Sequence, residues 1–230
     1  MSKETYKLKI YQDTYGMNPR TDWDNLGTMA YKHRNYELGD ERISDPIDWL
    51  QEKLKVSTKK IGEYATSNGY SYYSDEVKNW LESQFLEKFI AFPLYLYDHS
   101  GITISTKPFG CRWDSGQVGY IYASKKAICK WFGVRKVTAE IVERAEKNLL
   151  GEVETFDQYI RGDVYGFEIV KVITCSEGHE HEEHEDSCGG FYGTDWAENG
   201  IMEHIDHELL GLTENELEEV LDDIEVEYRY

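Results

Sequence analysis

The 230-residue chain carries 44 acidic against 25 basic side chains, a formal net charge of −19. That balance argues against direct binding to nucleic acid, which needs a basic footprint, and leaves two readings, plain solubility or a partner protein with a basic surface. No apolar run approaches the roughly 18 residues of a membrane-spanning helix, while 40% hydrophobic and 14% aromatic residues suffice for a packed core.

The opening segment MSKETYKLKIYQD lacks a signal-peptide pattern. Cys111, Cys129, Cys175 and Cys188 are sparse for this length, so reduced thiols and a cytoplasmic location, the host's if the protein is viral, are expected. Thr5 to Asp13 alternates apolar and polar residues, which predicts a strand with Tyr6, Leu8 and Ile10 on one face. The Gly-, Asn- and Asp-dense stretch YGMNPRTDWDNLGTM reads as a long loop.

Asp45-Pro46 marks a helix start, with Ile47, Leu50 and Leu54 on one face, and Ser57 to Ala65 forms a further short helix. Ser74 caps a helix whose apolar positions are Val77, Leu81, Phe85 and Phe89. Phe92–Tyr97, Ile102–Thr106 and Gln117–Ala123 read as strands, the first two as a hairpin about Ser100-Gly101. Ser124 begins a helix stopped by Gly133, and Thr138 caps the longest helix, from about Ala139 to Ile160, striped by Val142, Ala145, Leu149, Val153, Phe156 and Ile160.

Val164 to Thr174 is a strand with a possible bulge at Gly166. An acidic loop at 175–188 follows, then a helix carrying Ile201, Ile205 and Leu209. A final acidic helix at 213–227 opens on a Thr213/Glu216 capping box, with Leu217, Val220, Leu221 and Ile224 as its packing face. The expected architecture is one α+β domain over residues 1–230, an antiparallel sheet with helices on one face and around the edges.

Three clusters carry chemistry. Asp98, His99, Cys111, Asp114 and Ser115 sit on two polar turns, and with the Trp23-Asp24-Asn25 loop they are the candidate site of an enzyme or ligand-binding domain. The competing reading is that Asp98 and Ser100 satisfy turn amides and that Cys111 is structural. Cys175, His179, His181, His184 and Cys188 offer thiol and imidazole ligands for zinc, in a spacing that is not a standard finger, and the competing reading is a hairpin tip that merely tolerates charge. Glu214, Glu218, Glu219, Asp222, Asp223 and Glu225, with Tyr228 and Tyr230 as aromatic anchors, form a candidate partner-binding ridge. A solvated helix face is the competing reading.

The phrases Trp23–Met29 (WDNLGTM), Leu94–Gly101 (LYLYDHSG), Trp113–Gln117 (WDSGQ), Gly162–Phe167 (GDVYGF) and Asp186–Gly193 (DSCGGFYG) resemble a family of phage and mobile-element proteins with no established activity. The resemblance implies a viral or mobile-element setting, in which small acidic accessory proteins inhibit host defence, anti-CRISPR proteins among them. The expectation is an inhibitor of a host nucleic-acid-handling protein that mimics nucleic acid by its acidic surface. The alternative is an enzyme or ligand-binding domain built on the polar turns.

Overall fold

The computed structural model describes residues 3–228. In chain order it runs through strands β1 (Lys3–Gln12), β2 (Thr28–Tyr31) and β3 (Glu41–Arg42), then helices α1 (Pro46–Leu54), α2 (Thr58–Asn68) and α3 (Asp75–Lys88). Strands β4 (Phe89–Asp98), β5 (Ile102–Ser105) and β6 (Ser115–Ser124) and helices α4 (Lys125–Trp131) and α5 (Ala139–Arg161) follow. Strands β7 (Val164–Thr174) and β8 (Glu180–Tyr192), a 3-10 turn (Ile201–Glu203), helices α6 (His207–Leu210) and α7 (Glu214–Asp223) and strand β9 (Val226–Tyr228) complete it. The α+β class holds, but the strands form two sheets rather than one, in the orders β8-β7-β1-β9 and β3-β2-β6-β4-β5.

The helix starts are set locally. Asp45 accepts from the amides of Ile47 and Asp48, Ser57 from Lys60, Ser74 from Val77 and Ser124 from Ala127, each satisfying donors that a first turn leaves unpaired. α3 stops at Lys88, two residues short of the Ile90 to which the sequence pattern runs, because Phe89 turns extended (φ −116°) and opens β4. Its ring still packs 4.7 Å from Phe85. The helix expected around Ile201, Ile205 and Leu209 is instead the 3-10 turn and α6, separated at Asp206, which caps the amide of Leu209.

Two compact units divide the chain: Met1–Pro19 with Thr155–Tyr230, and Arg20–Glu154. The boundary falls inside α5, so no linker composition marks it. In the Arg20–Glu154 unit, Trp49 stacks on Tyr120 and meets Phe85 tilted and Tyr122 edge-on, within a core that α1, α2 and α3 build against the five-stranded sheet. Such ring pairs contribute about 0.5–1.5 kcal/mol each beyond their buried area.

In the other unit, β1 pairs antiparallel with β7 from Lys3↔Thr174 to Gln12↔Tyr165. Leu8, Ile10, Phe167 and Ile169 on one face of that pair pack with Phe191, Leu217 and Leu221. Gly166 lies at a register shift between β7 and β8, as expected of a bulge. A Cβ at Gly166 would stand 2.5 Å from the Tyr11 ring, so only glycine lets that ring lie on the strand.

Candidate protein-binding surface

Charge is divided unevenly between the two units. Met1–Pro19 with Thr155–Tyr230 holds 24 acidic and 6 basic side chains, a formal −18, whereas Arg20–Glu154 holds 20 and 19, a formal −1. Within the acidic unit three of the six cations are engaged: Lys9 bonds Glu182, Lys171 bonds Glu4 at 2.9 Å, and Arg161 reaches Asp163 at 2.9 Å and Asp157 at 3.5 Å.

Helix α7 presents the largest group of remaining carboxylates. The Thr213 hydroxyl accepts from the Glu216 amide while the Glu216 carboxylate accepts from the Thr213 amide, closing the expected capping box. Those bonds from the Thr213 backbone and hydroxyl hold Glu216 below the usual carboxylate range. Leu217 and Leu221 face the core. At 100° per residue, Glu214, Glu218 and Asp222 then form one outward file, and Glu219 with Asp223 a second. All five are exposed, and among the described residues none of them takes part in an ion pair.

Three features depart from the expected ridge. The helix ends at Asp223 rather than near 227, because Ile224 turns extended and the chain joins the sheet as β9, parallel to β1 at Ile10–Gln12. Glu225 therefore lies on the connection and Tyr228 on the strand, where it is 65% exposed. Val220, expected on the packing face, is 37% exposed. Tyr230 lies outside the described residues.

The segment expected as an acidic loop at 175–188 is a hairpin arm. Cys175 closes a tight turn by donating its amide to the His179 carbonyl at 2.9 Å, and β8 runs from Glu180. This disperses the candidate zinc ligands. His181 lies opposite Ile173, His184 opposite Val170 and Cys188 opposite Phe167. At ~3.4 Å per residue, Cys188 stands about 27 Å along the ladder from Cys175. Among the described residues no group of three or more His, Cys, Asp or Glu side chains is placed to hold a metal ion, and Cys175 and Cys188 are free thiols. The strand instead displays Glu180, Glu182, Glu183, Glu185 and Asp186 in exposed positions on the outer strand of the sheet.

The polar turns in the near-neutral unit do converge. Asp114 Oδ2 lies 3.4 Å from Cys111 Sγ and 3.5 Å from His99 Nδ1. The Asp98 amide donates to the Asp114 carbonyl at 2.8 Å, and Tyr36 Oη donates to Asp98 Oδ1 at 3.3 Å. The carboxylate thus sits between thiol and imidazole. General-base activation needs the imidazole in the middle, so the order of contacts is wrong for a cysteine nucleophile. Ser115 Oγ donates to the Cys111 carbonyl, which makes it a loop fastener. Trp23 and Asn25 form part of a loop held by Arg20, whose Nη1 donates to Asn25 Oδ1 at 3.1 Å.

Sequence reading missed two hollows that the fold assembles. A groove of about 820 Å³ runs between β1 and α7, lined by Tyr6, Lys7, Leu8, Leu212, Val220 and Ile224 and rimmed by Glu216, Glu219, Asp223 and Glu225. The alternation at Tyr6 and Leu8 was legible, but the elements facing it lie some two hundred positions away. In the near-neutral unit a hollow of about 580 Å³ is lined by Lys32, His33, Arg34 and Arg42. Comparison with protein-family models, curated proteins and solved structures returns no match to this chain.

Proposed function

We propose that this chain is a phage-type accessory protein that binds a host nucleic-acid-handling protein and blocks it, its acidic unit occupying the basic surface that otherwise holds phosphates. The supporting observation is the segregation of charge, −18 on one unit and −1 on the other. Carboxylates four residues apart on α7 are about 6 Å apart along the axis. That is inside the Debye length of ~8 Å at physiological salt, so their potentials add instead of being screened one by one. A field of that kind accelerates docking on a cationic groove and repels nucleic acid itself.

The test is capture of DNA-binding proteins from a heparin-retained bacterial fraction by the immobilised chain. A captured protein is eluted by salt and displaced by duplex DNA. The quadruple variant Glu218→Lys, Glu219→Lys, Asp222→Lys, Asp223→Lys loses capture, and a control carrying Lys32→Glu and Arg34→Glu retains it. A partner held equally well by the quadruple variant, and indifferent to salt, overturns the proposal.

A further inference from the structure

The groove beside α7 borders an open strand edge. The Asp13 amide donates to the Val164 carbonyl at 2.8 Å, so Asp13 and Val164 form a hydrogen-bonded pair. Hydrogen-bonded and non-bonded pairs alternate along an antiparallel ladder. With the β1–β7 register unbroken, the odd-numbered residues of β1 direct their amides and carbonyls at β7, and the even-numbered ones direct theirs away. Ile10 and Gln12 meet β9 there. The ladder with β9 starts at Ile10, so the outward N–H and C=O groups of Glu4, Tyr6 and Leu8 have no strand partner among the described residues.

The position of the groove follows from the same alternation. Tyr6 and Leu8 belong to the core face of β1, and Lys7, between them, belongs to the opposite face. All three line one groove, which places that groove at the rim of the strand. Its apolar wall comes from Leu210, Leu212, Val220 and Ile224, and among the described residues its carboxylates Glu216, Glu219, Asp223 and Glu225 stand against the single cation Lys7.

We infer that this edge receives an extended segment of a partner protein, added as a strand beside Glu4–Leu8, with alternate apolar and basic side chains. Backbone groups of β1 hold the segment, its apolar side chains enter the groove, and its Lys or Arg side chains meet the carboxylate rim. A second copy of this chain fits the edge poorly, because two units of formal charge −18 would face each other. The inference rests on the reading of the acidic unit as a binder of basic surfaces and adds the local form of the partner.

The probe is a capped heptapeptide, Lys-Val-Lys-Val-Lys-Val-Lys, titrated into the full chain with NMR amide exchange as readout. Binding slows exchange at Tyr6 and Leu8. N-methylation of alternate peptide amides, which removes two or three donors, weakens binding by about tenfold or more. Val220→Lys, at an exposed helical position that leaves the melting curve unchanged, weakens it comparably. If the peptide binds but exchange at Tyr6 and Leu8 does not change, the edge inference falls while the acidic-surface reading stands. If neither this peptide nor heptalysine binds, both fall. If sedimentation shows a dimer whose Tyr6 and Leu8 amides are protected without peptide, the occupant is a second copy and the inference is overturned.

Discussion

Arg20 grips both carboxylate oxygens of Asp40, Nε to Oδ1 at 3.1 Å and Nη2 to Oδ2, with its side chain only 2% exposed. The same guanidinium donates to Glu152 Oε2 at 2.8 Å and to the Gly27 carbonyl at 2.8 Å. Asp40 also accepts from the Met29 amide at 2.7 Å, and Glu152 from the Leu26 amide at 2.8 Å. One side chain thereby fastens the loop before β2 to α5. Arg20→Met leaves two carboxylates without their cation, and removing one partner of a buried cluster costs about 3–5 kcal/mol. Urea unfolding measures this, and a loss under about 1 kcal/mol would mean the cluster behaves as a surface pair.

Gly119 of β6 lies opposite Tyr31 of β2, and a Cβ there would stand 1.9 Å from the Ala30 carbonyl oxygen. The backbone fixes where that Cβ lies and the oxygen it meets is itself backbone, so no flexible side chain can swing aside. Gly119→Ala is expected to destabilise by more than about 3 kcal/mol, whereas Gly116→Ala, with open space around it, stays within about 0.5 kcal/mol. Equal melting temperatures for the two variants would show that β2 and β6 can separate without cost.

Burial, reinforced by its hydrogen bond to Glu82, pushes the Tyr120 phenol above its ordinary value of 10.0, and burial beside Glu41 raises Tyr122 as well. The folded state therefore holds protons that the unfolded chain releases. Stability is intact below pH 10.0, the unfolded value, and declines as pH rises above it. A melting temperature followed from pH 8 to pH 12 should fall more gently above pH 10 in Tyr120→Phe than in the parent. Parallel curves would remove Tyr120 from the alkaline transition.

The exposed Cys175 thiol is held below its ordinary value by hydrogen bonds from the backbone amides of Glu177, His179 and Gly178. The thiolate is the nucleophile. Iodoacetamide near neutral pH should label Cys175 ahead of Cys111, Cys129 and Cys188, read by peptide mass spectrometry. In urea, where the turn opens, the four rates should converge. A Cys175 rate that does not change on unfolding would show that its turn contributes nothing.

What was legible from sequence was what one helical turn or one strand can satisfy by itself. Asp45, Ser57, Ser74, Ser124 and Thr213 cap helices because each side chain reaches amides two or three positions on. The stripe of Ala145, Leu149, Val153 and Phe156 located α5 because its 3.6-residue period needs no distant partner. β8 escaped because it is an outer strand, exposed on both faces through most of its length, and shows no apolar alternation. β2, β3 and β9 escaped because strands so short exist only through their neighbours, and none of them carries the β-branched run behind a Ser-Gly turn that marked β5.

The acidity of the chain is a property of composition, but its collection into one unit is tertiary. It follows from β1 pairing with β7 more than one hundred and fifty residues later, which gathers both ends of the chain and leaves the balanced middle to fold around its own sheet. The groove has the same origin. Residues 6–8 and 210–225 carry no signal of one another, and they meet because apolar side chains on both are buried in a common core while the strand edge between them is left unpaired.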